Sequence, residues 1–388
     1  MEQFLSPHQE RLWFIDHFER GYVYPHPPTY HNLPLVLAGR GALDVDTAQS
    51  VLAELIIQHE VLRTQLQEGH LPARPTIVDE TEVPVVATEL PEGSTEPIVE
   101  AHLIKANAAP FILNEQPLLR SELVRVASEG DAGRFWWLIT LHHLIADRAS
   151  MMQLADEIAA KLRGDSVPPP EIHYADYVDW QRNLPADALE PLLFYWKWQL
   201  RGRLPPLELP TARPRMAVHS FTADRHTFSW GPSLTHSLRD LARNHDTTPT
   251  FVALAVFKVL LHRYAQQPEI IIGTSVANRR QEGTASLIGP VANLLVLRST
   301  FEDHLSVADV LAQFAQTYSE ALAHQEMPFD PLVQTLNPAK DMSRTALFDI
   351  LATVAESPLP AWDGGPSGEL RLVDFNLGYG KYDLALHL

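Results

Sequence analysis

Arg134-Phe135-Trp136-Trp137-Leu138-Ile139-Thr140-Leu141-His142-His143-Leu144-Ile145-Ala146-Asp147 is the stretch on which the reading of this 388-residue chain turns. Residues 134–141 are almost wholly apolar and aromatic, the right length and composition for a buried strand. After them the period changes. Met151, Leu154, Ala155, Ile158 and Leu162 recur at helical spacing, which predicts a helix over 149–162. Residues 142–147 are then a tight strand-to-helix connection, the kind of loop that often carries chemistry.

Outward from this core, other elements follow by the same rules. Ser6-Pro7 is an N-cap with proline at the first helical position, opening a helix over 7–18. A loop at 22–29 and a strand at 33–38 come next. In the helix at 46–59, Ala48, Val51, Leu52, Leu55 and Ile56 share one face. A helix at 97–109 and an alternating strand at 118–126 complete the first half. Proline-rich breaks at 164–172 and 204–215 flank an aromatic helix with Tyr195, Trp196 and Trp198, of which Trp196 reads as core. The second half predicts helices at 233–244, 250–264 and 307–324, and strands at 270–274, 293–299, near 347–354 and at 370–375. Both halves mix helices with strands, so the fold class is α/β with two subdomains, 1–172 and 173–388.

Composition narrows the function. With 45% apolar residues the chain can bury a sizeable core, and its length suits two domains. Thirty Lys+Arg against 48 Asp+Glu leave a net charge of −18. A body that acidic repels phosphate backbones and anionic lipid, so neither nucleic-acid nor membrane-surface binding is expected. Cysteine is absent, which excludes disulfides, thiolate metal sites and a cysteine nucleophile. The N-terminal residues lack a secretory signal, and no run approaches the ~18 apolar residues of a membrane span. A cytoplasmic location is the simplest expectation.

The reactive candidates sit on the connection itself. Adjacent residues leaving a strand point to opposite faces, so one of His142 and His143 can face a cavity while the other packs inward. An imidazole, with an ordinary pKa of about 6.5, suits deprotonation of a hydroxyl or of an arriving ammonium. Asp147 either acts directly or holds the loop by pairing with an arginine. A Gly-x-Ser-x-Gly elbow is absent, which removes the usual signature of a serine hydrolase. The His-x-x-x-Asp spacing offers only two metal ligands and no His-Glu-x-x-His accompanies it, so no metal is expected. Taken alone, the pair reads equally as structural or as an acyl-transfer site.

Six further motifs resolve that ambiguity by resemblance. Ser6-Pro7-His8-Gln9-Glu10-Arg11-Leu12-Trp13 comes first, then His59-Glu60-Val61-Leu62-Arg63-Thr64, then His142 to Asp147. Tyr174-Ala175-Asp176-Tyr177-Val178-Asp179-Trp180 follows, then Ile288-Gly289-Pro290-Val291-Ala292-Asn293 continuing to Arg298. His324-Gln325-Glu326-Met327-Pro328-Phe329-Asp330 and Lys381-Tyr382-Asp383-Leu384 close the series. In this order and spacing, over essentially the whole length, the chain resembles the condensation domains of nonribosomal peptide synthetases.

The resemblance implies two chloramphenicol-acetyltransferase-like subdomains forming a V with a central tunnel. It implies phosphopantetheine arms entering from donor and acceptor carrier proteins, with no cofactor held by the domain itself, and an amide formed from a thioester and an amine. His143 would be catalytic, supported by His142, by Asp147 and by an Arg63–Asp147 ion pair locking the loop. Arg148, Ser150, Gly289 and Asn293 would line the tunnel. Such a domain is expected as a monomer or as part of a multidomain synthetase, with a free acceptor as an option. Two departures from the family accompany this: Arg148 stands where glycine is usual, and the chain stops at Leu388 without the last element of the second subdomain. An ester-forming relative using an alcohol, and a catalytically silent carrier-docking module, are the alternatives. Asp374 to Gly380 faintly resembles a motif of plant-type coenzyme A acyltransferases, which the other motifs fit poorly.

Overall fold

A computed structural model describes residues 3–19, 29–67, 69, 72–114, 117–126, 133–302, 304–338, 341–354 and 360–388. The loop expected at 22–29 lies almost wholly outside them. The chain forms two compact units, one of Met1–Leu184, Arg279–Ala292 and Leu359–Leu377, the other of Pro185–Asn278, Asn293–Pro358 and Gly378–Leu388.

In the first unit the strand Arg134–His142 lies inside a six-stranded sheet. The order across it is Ala361–Asp363, Glu369–Leu372, Asn32–Arg40, Arg134–His142, Leu119–Val126 and Val85–Leu90. Only the Val85–Leu90 and Leu119–Val126 pair is parallel. Side chains alternate across a strand, and here both faces are covered. Phe135, Trp137, Ile139 and Leu141 join the core with Val51, Leu52, Leu55 and Ile56 of helix Val45–Gln58 and Leu154, Ile158 and Leu162 of helix Arg148–Arg163. Trp136 and Leu138 face the other way, with Val99 and Leu103 of helix Glu96–Asn107. Burial on both faces is why residues 135–141 read as an almost wholly apolar run. The indole of Trp137 is not left unsatisfied, since its Nε1 donates to Ser121 Oγ at 2.8 Å.

A contiguous division at 172/173 does not describe these contacts. Glu369–Leu372, from near the end of the chain, adds antiparallel to Asn32–Arg40, with Leu37 opposite Leu372. Phe375 continues into the same packing, and the segment Arg279–Ala292 delivers Leu287, Ile288 and Val291 to the first unit's core. Strand pairing and apolar burial thus recruit two later segments to the first unit, while the first crossing between units falls after Leu184.

The second unit has a four-stranded sheet ordered Leu384–His387, Ile350–Thr353, Glu269–Val276 and Asn293–Thr300. Leu254 and Leu261 of helix Pro249–Ala265 and Leu311 and Phe314 of helix Val307–Ala323 pack with Ile270, Ile272, Leu295 and Leu297. Gly273 gives the Phe348 ring its place, because a Cβ there would lie 2.1 Å from that ring. Trp196 is core as expected, its Nε1 donating to His324 O at 3.1 Å. Asp383 of the closing motif accepts a two-pronged contact from Arg215, and its N–H donates to Asp349 O at 2.9 Å. Among the described residues no helix is long and apolar enough to cross a membrane.

Lys258 is an unusual member of this second core, only 1% exposed. Its Nζ donates to Leu297 O at 3.0 Å and to Ser299 Oγ at 2.6 Å, and sits 5.3 Å from the centroid of Phe314. Burial pushes its pKa down from 10.5 to about 7. Between those values the unfolded chain binds a proton that the folded chain does not. Stability on this account therefore rises with pH across the window, and the cost is fully present below it. Lys258→Met is expected to flatten that slope. Melting temperature against pH for both proteins is the check: the wild-type value, relative to the variant, should climb from pH 7 to pH 10.

Candidate functional site

The 142–147 connection is fastened from several sides. The His142 N–H donates to Leu118 O at 2.9 Å and the His143 N–H to His31 O at 2.8 Å. His142, 1% exposed, packs edge-on against Phe111 with ring centroids 5.8 Å apart. Its Nδ1 accepts from the Leu144 N–H at 3.1 Å, so that nitrogen carries no proton. His143, next along, is half-buried. The two adjacent imidazoles thus differ in burial at the strand end, His142 packed inward and His143 only partly covered.

The opening motif is a capping box tied to the same loop. Ser6 Oγ accepts from the Gln9 N–H at 3.1 Å, and Gln9 Oε1 accepts from the Ser6 N–H at 2.9 Å. Gln9 Nε2 then donates to Leu144 O at 2.8 Å, one residue beyond His143. This brings the His8 ring to 5.5 Å from the His143 ring, centroid to centroid. Gln9 escaped the sequence reading, although the Ser-x-x-Gln spacing of a capping box was present in the motif.

Asp147 closes the loop and caps helix Arg148–Arg163. Its Oδ1 accepts from the Ser150 N–H at 2.8 Å, and its Oδ2 from the N–H groups of Val291 at 3.0 Å and Ala292 at 2.9 Å. Arg279 adds a bidentate pair, Nη1 to Oδ2 at 2.9 Å and Nη2 to Oδ1 at 2.8 Å. A carboxylate has about four lone-pair sites, and all of them are taken, so Asp147 has no capacity left for proton transfer. Burial would raise its pKa; the Arg279 guanidinium and these hydrogen bonds outweigh burial and hold it below the usual carboxylate range.

The expected Arg63–Asp147 pair is corrected here. Arg63 Nε donates to Ile56 O at 3.1 Å and its Nη1 to Val78 O at 2.6 Å, which spends the guanidinium on bracing its own neighbourhood. Asp147 takes Arg279 instead, and both partners are nearly solvent-free at 2% and 8% exposure. The second motif still locks onto the helix after the histidine loop, but through His59, whose Nε2 lies 2.7 Å from Glu157 Oε2 in a buried pair. Local sequence could not point to Arg279, because what selects the partner is the return of the segment Arg279–Ala292 to the first unit.

Of the four residues expected along a substrate path, only Arg148 has an exposed side chain. Ser150 Oγ lies 2.8 Å from Asp147 Oδ1 and 2.9 Å from Gly289 O, and accepts from the Gly289 N–H at 3.0 Å. Gly289 has φ +152°, and a Cβ there would fall 2.1 Å from the Tyr174 ring. Only glycine lets the fifth motif pass the fourth so closely. The Tyr174 hydroxyl lies 3.0 Å from Ser6 Oγ and 3.3 Å from Pro290 O, and burial pushes its pKa well above the usual phenol value. Asn293, in the second unit, spends its amide on the sixth motif. Its Nδ2 donates to Gln325 O at 2.8 Å and Met327 O at 2.7 Å, and its Oδ1 accepts from the Phe329 N–H at 3.1 Å.

A family model described as the condensation domain matches residues 1–386. The chain belongs to the condensation-domain family. One of the linear gramicidin synthase proteins of Brevibacillus parabrevis is 33% identical over 98% of this chain and 8% of its own length. Phosphinothricin tripeptide synthetase PhsC of Streptomyces viridochromogenes is 35% identical over 89% of this chain and 32% of its own. Surfactin synthase subunit 2 of Bacillus subtilis is 32% identical over 98% and 10%. The chain thus spans less than a third of the length of these curated relatives. Among solved structures, a four-domain nonribosomal peptide synthetase bound to AMP and glycine superposes with TM-score 0.83 at 19% identity, covering 100% of this chain and 30% of that one. The X-domain from teicoplanin biosynthesis in complex with OxyB gives 0.82 at 21% identity, covering 99% and 83%. These likenesses carry the fold: an α/β chain of two chloramphenicol-acetyltransferase-like lobes.

Proposed function

We propose that this domain joins a donor acyl or peptidyl thioester, carried on the phosphopantetheine arm of one carrier protein, to the amine of an acceptor on a second carrier or free in solution. One observation carries the reading. Asp147 is saturated with donors and His142 is fixed through its Nδ1, which leaves the half-buried His143 as the loop's acid–base group. The amine nitrogen bonds to the thioester carbonyl carbon, the C–S bond breaks, and the thiol leaves with a proton. His143 takes the proton shed by the amine and returns it to the departing sulfur. Holding two tethered reactants together supplies much of the rate, and no metal or domain-bound cofactor is needed. The setting is a multidomain synthetase in the cytoplasm, consistent with the large synthases among the relatives.

The direct test is to mix the domain with carriers loaded with aminoacyl thioesters and to weigh the products against amine and alcohol acceptors. Amide products support the reading; ester products alone would replace it with the alcohol-using relative, and carrier binding without any product would replace it with the docking module. Arg148 enters the same assay. It is an exposed cation one residue past Asp147, placed to meet an anionic group of an incoming arm or acyl chain. Arg148→Gly is expected to change selectivity among donors with little change in melting temperature; unchanged turnover and selectivity would remove Arg148 from substrate handling.

A further inference from the structure

We infer that His8 is a positioning residue for His143: a second imidazole whose ring forms a wall holding the reactive ring in one orientation. The inference rests on the proposed role of His143. His8 lies on the first turn of helix Pro7–Glu19, and its backbone has little freedom. The Ser6–Gln9 capping box fixes the turn on both sides of it, and Gln9 Nε2 pins the same turn to Leu144 O, the residue after His143. Arg182 adds a further tether, its Nε donating to Leu5 O at 2.8 Å. The His143 backbone is fixed in turn by its N–H bond to His31 O. With both backbones keyed to each other, the two rings meet at 5.5 Å and 53°, a tilted contact within the range of packed aromatic pairs.

The consequence is rotational. A half-buried imidazole at a strand end has a soft ring torsion, and a wrongly turned ring presents carbon where a nitrogen is needed. A flat neighbour at contact distance removes those orientations at no cost in reorganisation during the reaction. His142 has its own counterparts, the Phe111 and His31 rings, at 5.8 and 5.6 Å. The His8 ring is set against the second histidine. It is the flat ring, not a particular nitrogen, that does this, so phenylalanine is the conservative replacement.

The test compares wild type, His8→Ala and His8→Phe by two readouts. The first is the rate at which diethyl pyrocarbonate ethoxyformylates His143, followed by peptide mass; it does not depend on any condensation activity. His8→Ala is expected to speed the reaction at His143 several-fold by loosening the ring, and His8→Phe to restore the wild-type rate. The second is turnover with loaded carriers, where His8→Ala should lower kcat roughly 10-fold or more with KM unchanged, and His8→Phe should recover most of it. A His143 modification rate in His8→Ala no faster than wild type overturns the inference, and so does a rate in His8→Phe as fast as in His8→Ala. If no acceptor gives product with the wild type, the proposed function fails while the modification rates still decide the role of His8.

Discussion

Replacing Arg279 with alanine is expected to destabilise the first unit by about 3–5 kcal/mol, the usual effect of removing one partner from a buried ion pair. Asp147 would keep its bonds from Ser150, Val291 and Ala292 but lose the guanidinium that balances its charge in a site 2% exposed. The other end suffers as well. Arg279 Nη2 also donates to Leu287 O at 3.2 Å and Gly289 O at 3.3 Å, so the segment Arg279–Ala292 loses one of its ties to the helix cap. Arg279→Lys keeps the charge without the two-pronged geometry and should fall between wild type and alanine. Urea unfolding reads both values. The pH dependence has a definite sign. Asp147 is held below its ordinary pKa, so its contribution is full above the unfolded carboxylate value of 3.8 and is lost as pH falls through the lower folded value. In Arg279→Ala the folded carboxyl loses the guanidinium that offsets burial and its pKa rises, so that acid-side loss should shrink.

Replacing His143 with alanine is expected to lower condensation by roughly 10²–10⁴-fold, the range for loss of a general acid–base group, with little effect on stability. The His143 ring is half-buried and lies just past the strand, whereas His142 is the strand's last residue and is buried beside Phe111 and His31. His142→Ala should therefore lower melting temperature, and His143→Ala should not. That contrast separates the packed histidine from the reactive one without reference to substrate identity.

Much of the fold was legible because the signals were physical and local. The apolar run 135–141 is a strand covered on both faces, and the helix after it follows from Leu154, Ile158 and Leu162. Strands Val85–Leu90 and Leu384–His387 went unread. Each is an edge or parallel partner whose pairing comes from distant chain, and four residues such as Leu384 to His387 carry no period of their own. The division into units was illegible for the same reason, since it depends on Glu369–Leu372 choosing Asn32–Arg40 as its neighbour.

At the site, residue types and motif order pointed to His143, which is half-buried, while His142 beside it is buried. Partner choice did not follow. The resemblance implied an Arg63–Asp147 pair, yet the arginine comes from 279, because long-range contacts are set by packing rather than by spacing. Ser150, three residues past the third motif, and Gly289 and Asn293 of the fifth have polar atoms and close approaches that serve the loop and the neighbouring motifs.

The most direct test of the central claim is a single-turnover assay with an aminoacyl-loaded donor carrier and an amine acceptor, the product weighed by intact mass, for wild type and His143→Ala side by side. Amide formed by the wild type and reduced at least ~100-fold in His143→Ala is the predicted result. Amide formed by His143→Ala at the wild-type rate would contradict it.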